Sequence, residues 1–207
     1  MRSKFILSLL AAALLGTTGA GAFSLPQASA AQNASAASQN ANPQSQAESK
    51  AKQTFAGKYP HAAISSIRTA DLNGDGRYET FILTESGSFF LVNAKGYVVL
   101  VHTDILSDES FDKPAIQVFS VTPKEKQVAV TFNFAPSNTM LYAYRLQNGT
   151  LVKKLEVMGD QGAEIDGKGR VHQYWKHYLD EGGWDPAEAL YTWSVSKQKY
   201  IGSGMLP

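Results

Sequence analysis

The sequence predicts an all-β domain built as an antiparallel meander of hairpins. Three observations predict it. Val128, Val130, Phe132 and Phe134 alternate with Ala129, Thr131 and Asn133, the period of two that marks a strand with one buried face. Short apolar, β-branched or aromatic runs recur from Ile67 to Ile201, each closed by turn residues. Asn148-Gly149 stands between two such runs, the strongest short-range hairpin signal.

The elements follow in chain order. Arg2 and Lys4 head an apolar stretch from Phe5 to Leu15, and Ala28-Ser29-Ala30 ends the segment with small residues. This pattern predicts a secretory signal peptide over residues 1–30, hence an extracytoplasmic location of bacterial type. Cleavage there removes Arg2 and Lys4 and no acidic residue, so the formal charge moves from +1 to −1. It also leaves no stable membrane insertion. Residues 31–50 are mostly Ala, Gln, Ser and Asn, with one proline and no aromatic. Such a segment buries too little apolar area to offset its ordering entropy, and predicts a disordered tether. Residues 51–207 remain as a single β-rich domain. A short helix over 47–58 overlaps its start, with Phe55 and Tyr59 on an apolar side and Gly57 and Pro60 as stops.

Strands are predicted over 67–70, 80–84, 88–93, 97–103, 115–121, 127–134, 140–146, 151–157, 171–178, 189–195 and 199–201. Some ten strands joined by tight turns suit propeller-like blades or two packed sheets.

Composition narrows the chemistry. The chain has 207 residues, 19 Lys+Arg, 18 Asp+Glu and no cysteine. Near-neutral charge argues against a nucleic-acid partner. Lack of cysteine removes thiol catalysis, disulfides and cysteine-ligated metals.

The sharpest motif is Asp71-Leu72-Asn73-Gly74-Asp75-Gly76-Arg77-Tyr78-Glu79. It places oxygen donors at loop positions 1, 3, 5 and 9, with glycine at position 6 for the tight turn. Asp71, Asn73, Asp75 and Glu79 offer side chains, and Arg77 offers its backbone carbonyl. Three clustered negative charges favour a hard divalent cation, and a flexible oxygen loop favours Ca2+ in a structural role. Position 12 is Ile82, where an EF-hand carries glutamate, and the flanks read as strands. The motif resembles the calcium loop of FG-GAP or VCBS-type repeats of integrin-like propellers and bacterial exported proteins. That resemblance spans about 20 residues in one copy, and implies a loop that holds a blade together.

Two other groupings carry weaker chemistry. Trp175, Trp184 and Trp193 lie in an aromatic last third and could contact a ligand from an exposed face. His102, Asp104 and the acidic run Asp108, Glu109 and Asp112 contain the groups a secreted hydrolase needs. The leading expectation is a secreted, non-catalytic, calcium-stabilised β domain that binds a protein or cell-surface polymer. The alternatives are that hydrolase, or a structural subunit whose open sheet edges are completed by oligomerisation.

Overall fold

Asn42-Pro43 is a helix-start signal at the head of the described residues. The structure, a computed structural model, describes residues 42–207. The expected signal peptide and residues 31–41 of the expected tether lie outside the described residues. Helix α1 (Pro43–Lys58) is capped by the Asn42 side chain, which accepts from Gln44 N at 3.1 Å. Proline suits the first turn, where its missing N–H has no intrahelical partner. The helix therefore begins before the expected residue 47, and residues 43–50, read as tether, are helical.

Twelve strands follow. The first sheet is β1 (Ile64–Ala70), β2 (Glu79–Thr84), β3 (Phe89–Val92) and β4 (Val98–His102). The second is β5 (Ala115–Thr122), β6 (Glu125–Phe134), β7 (Asn138–Gln147) and β8 (Thr150–Gly159). The third is β9 (Gly162–Ile165), β10 (Val171–Tyr178), β11 (Trp184–Ser194) and β12 (Lys199–Gly204). Each is a four-stranded antiparallel meander in sequence order. Three sheets thus stand where two packed sheets were one of the expected arrangements.

One strand was not expected, and of the boundaries that differ the start of β11 moves furthest. Strand β9 has only Ala163 and Ile165 as apolar side chains, too few for a strand pattern. Its pairing of Val171 with Ile165 and Gln173 with Ala163 makes it a strand. Strand β11 begins at Trp184 rather than Ala189, because Tyr178 pairs with Trp184 and Lys176 with Pro186 across a Gly182-Gly183 turn.

The strand alternation dictates the stacking. Val128 and Val130 of β6 and Tyr144 of β7 meet Phe81, Leu83, Phe89 and Leu91 of the first sheet in one core. Ala129, Leu141 and Ala143 point the other way, toward Val171, Trp193 and Tyr200 of the third sheet. The second sheet is therefore a middle layer, apolar on both faces. The first sheet is also buried on both faces, since Ile82, Phe90 and Val92 face Ala51 and Phe55 of α1. Every side chain of β2 is consequently buried.

The described residues fall in one compact unit. Close backbone approach locks the last two sheets. Gly169 has φ +71°, and a Cβ there would lie 2.0 Å from the Ser120 carbonyl oxygen. Only glycine permits both features.

Candidate functional site

The β1–β2 loop forms where two strands end and carboxylates take over the backbone donors. Asp71 Oδ1 accepts from Gly74 N at 2.7 Å and from Asp75 N at 3.2 Å, and Oδ2 accepts from Gly76 N at 2.9 Å. Asn73 Oδ1 accepts from Asp75 N at 3.2 Å, and Asn73 Nδ2 donates to Asp75 Oδ2 at 3.2 Å. Asp75 Oδ1 accepts from Arg77 N at 2.8 Å. Gly74 and Gly76, at φ +73° and +79°, turn the backbone around the Asp71 carboxylate.

Glu79 lies at the first position of β2 and is 3% exposed. Its Oε2 accepts from Leu72 N at 3.3 Å. Burial pushes its carboxyl up to about 7, and the nearby Asp75 and Asp71 charges add to the push while the Leu72 amide opposes it. Asp75 is exposed and held below the usual carboxylate range, chiefly by the Arg77 amide. Strands β1 and β2 flank the loop as expected. The far side of the loop is anchored by Lys126 N, which donates to Leu72 O at 2.9 Å. No sequence spacing marks this tie between the first and second sheets. Among the described residues, no group of three or more His, Cys, Asp or Glu side chains is arranged to hold a metal ion.

Two clefts open at this end of the stack, where the odd-to-even hairpin loops of the meanders gather. A cleft of about 570 Å³ is lined by Leu72 and Asn73, the β5–β6 turn, Arg145 and Leu146 of β7, and Val195 after β11. All three sheets contribute to it. A second, of about 380 Å³, lies between the β1–β2 loop, Lys95 in the β3–β4 turn and Asn148 in the β7–β8 turn. Asn93 Nδ2 donates to Gly149 O at 3.0 Å across its base. Asn73 borders both clefts.

The three tryptophans are spread over different environments. Trp193 is a core residue, 7% exposed, with its ring edge-on to Tyr200 at 5.3 Å between centroids. It is buried away from any surface ligand. Trp175 donates Nε1 to the Met205 carbonyl at 3.0 Å, which ties β10 to the chain end. Trp184 is 44% exposed, with Lys176 Nζ 5.4 Å from its ring centroid.

The hydrolase residues are engaged separately. His102 Nδ1 pairs with the Tyr144 hydroxyl at 2.9 Å and its ring stacks on Tyr142 at 4.7 Å. Burial lowers its pKa, and Lys153 adds to that. Asp104 accepts from the Thr103 hydroxyl at 2.7 Å. Asp108 accepts from Ala135 N at 2.7 Å, and Ser107 Oγ accepts from Asn133 N at 3.1 Å. These bonds pin the β4–β5 connection to the end of β6.

One polar cluster escaped the sequence analysis. On the open face of the third sheet, His172 Nδ1 meets Glu188 Oε1 at 2.5 Å and Nε2 meets Asp166 Oδ2 at 3.2 Å. Arg170 also donates to Asp166 at 2.7 Å. Strand pairing sets Glu188 opposite Tyr174 and so diagonal to His172, which no local sequence signal marks.

No helix among the described residues is long and apolar enough to cross a membrane. No protein-family model and no curated protein sequence matches this chain.

Proposed function

We propose that this chain is an exported, non-catalytic β domain that holds one calcium ion in the Asp71–Glu79 loop and binds a protein or surface polymer. The observation that carries the calcium part is Glu79. A carboxylate 3% exposed lies behind a loop that carries two more acids, and uncompensated buried charge is costly. A hard divalent cation relieves that cost and suits oxygen donors. The donor chemistry fits: Asp71, Asn73, Asp75 and Glu79 would supply side-chain oxygens and Arg77 its carbonyl. Bound there, the ion would staple β1 to β2.

The three meanders read as propeller-like blades, in which loops at one end form the binding surface. The clefts beside the loop support a binding role. His102 and Asp104 each bond to a different partner, which favours binding over hydrolysis, since hydrolysis needs nucleophile, base and acid in mutual reach.

The test is thermal unfolding of the purified chain with and without calcium. At a calcium concentration about 100 times its Kd the expected gain is about 2.7 kcal/mol. Asp71→Ala and Asp75→Ala should each abolish it, and a wild-type melting curve indifferent to calcium sinks the site. Amino-terminal sequencing of the exported form should begin near Ala31.

A further inference from the structure

We propose that the 570 Å³ cleft seats an extended acidic peptide, with its aliphatic side chains on Leu146 and Val195 and its carboxylates on Lys124 and Lys126. This deepens the binding role proposed above by naming the partner's chemistry, and does not require the calcium ion.

The cleft is a product of the stack. Leu72 comes from the first sheet's loop, Lys124, Lys126 and Leu146 from the second sheet, and Val195 from the third sheet's last turn. Its volume falls within the range of small-ligand and peptide side-chain sites. The wall is preorganised. Lys126 N donates to Leu72 O at 2.9 Å, and Thr122 Oγ1 accepts from Lys124 N at 3.2 Å. Binding therefore costs little loop ordering.

The lining selects the partner. Arg145 already meets Glu125, with Nε 2.6 Å from Oε1, so that pair is electrically closed. Lys124 and Lys126 are exposed and form no ion pair among the described residues. The cleft thus carries two free positive charges in a chain whose overall charge is near zero. Complementary carboxylates would satisfy them. The aliphatic surface it offers comes from half-buried Leu146 and from Val195, which is 54% exposed. Among the described residues no aromatic ring lines the cleft, whereas sugar rings are gripped by flat aromatic faces. Aliphatic side chains on that aliphatic surface gain from leaving water. An acidic peptide with interspersed Leu or Val satisfies both demands, and an uncharged polymer or a plain polyanion satisfies one or neither.

Fluorescence anisotropy with three labelled probes tests this: a peptide alternating Glu and Leu, oligoglutamate, and oligogalacturonate. The alternating peptide should bind, more weakly as salt rises, and both other probes at least about tenfold less tightly. Lys124→Glu combined with Lys126→Glu should weaken the peptide at least about tenfold, and Val195→Asp should weaken it independently. Both lysines are exposed, so unchanged melting of the double variant certifies its fold. No binding of the alternating peptide, or binding indifferent to the lysine reversals, overturns the proposal. Equal binding of oligogalacturonate overturns the peptide as occupant. Loss of peptide binding with the calcium response intact counts against the cleft alone; the converse result counts against the calcium loop alone.

Discussion

Glu79 Oε2 accepts the amide proton of Leu72 at 3.3 Å, so the carboxylate that closes the β1–β2 loop is held by the second residue of that loop. The same Leu72 returns its carbonyl to Lys126 of the middle sheet. One residue thus couples the acidic loop to the packing of two sheets.

Stability should fall with pH through this group. An unfolded glutamate titrates at 4.5, and folded Glu79 at about 7. Between these values the folded state keeps a proton that the unfolded state has lost. The contribution is therefore fully present below about pH 4.5 and lost as pH rises through about 7, at a cost of roughly 3 kcal/mol. Metal-free protein should melt roughly 5–10 °C lower at about pH 8 than at about pH 5 from this source. Glu79→Gln should flatten the profile and remove the response to calcium. A metal-free wild type as stable at the higher pH as at the lower would contradict the buried-acid assignment.

The His172 cluster should act in a neighbouring pH window. Desolvation opposes protonation of His172, but bonds to Glu188 and Asp166 outweigh it and raise its pKa above 6.5. Its stabilising effect is present below about 6.5 and lost as pH rises through the folded value. Asp166 is shifted well below 3.8; backbone and side-chain bonds from Arg170 and His172 outweigh its desolvation. Its share is lost as pH falls through that lowered value. His172→Gln should therefore cost more near pH 5.5 than near pH 8.5, read as the difference in melting temperature. Equal costs at both would show that the imidazole serves only as packing.

Helix α1 should be an integral layer. Phe55 is 1% exposed and meets Phe90 edge-on at 5.1 Å between centroids. Phe55→Ala should cost about 3–5 kcal/mol by chemical denaturation. A cost below about 1 kcal/mol would mean the helix is a loosely attached appendage.

Gly169 should tolerate no side chain. Gly169→Ala should destabilise by at least about 2 kcal/mol, because a positive φ and a clash with Ser120 act together. Gly76→Ala, at φ +79° with no atom near its Cβ position, should cost less. Similar losses at the two sites would remove close packing as the reason.

The β class was legible because alternation and turn chemistry are local. Val128 to Phe134 reads as a strand, and Asn148-Gly149 as the hairpin turn between the two strands that follow it, from a few residues each. The Asn42-Pro43 helix start was equally local, but lay inside a segment whose composition resembles a tether. The tight acidic loop between two strands was legible as well, since Asp71, Asn73, Asp75, Gly76 and Glu79 follow one another closely. Strand β9 was not, because Gly162 to Ile165 becomes a strand only through a partner that supplies its hydrogen bonds.

The sequence by itself determined the secondary-structure class, the turns and the acidic loop, since each depends on residues a few positions apart. Tertiary structure alone decided that there are three sheets, that both faces of the middle one are buried, and that Trp193 belongs to the core. It also decided that Leu72, Lys126, Leu146 and Val195 line one cleft. The physical reason is distance along the chain. A residue's alternation shows that it has a buried face, but only the packing of remote sheets shows what that face meets.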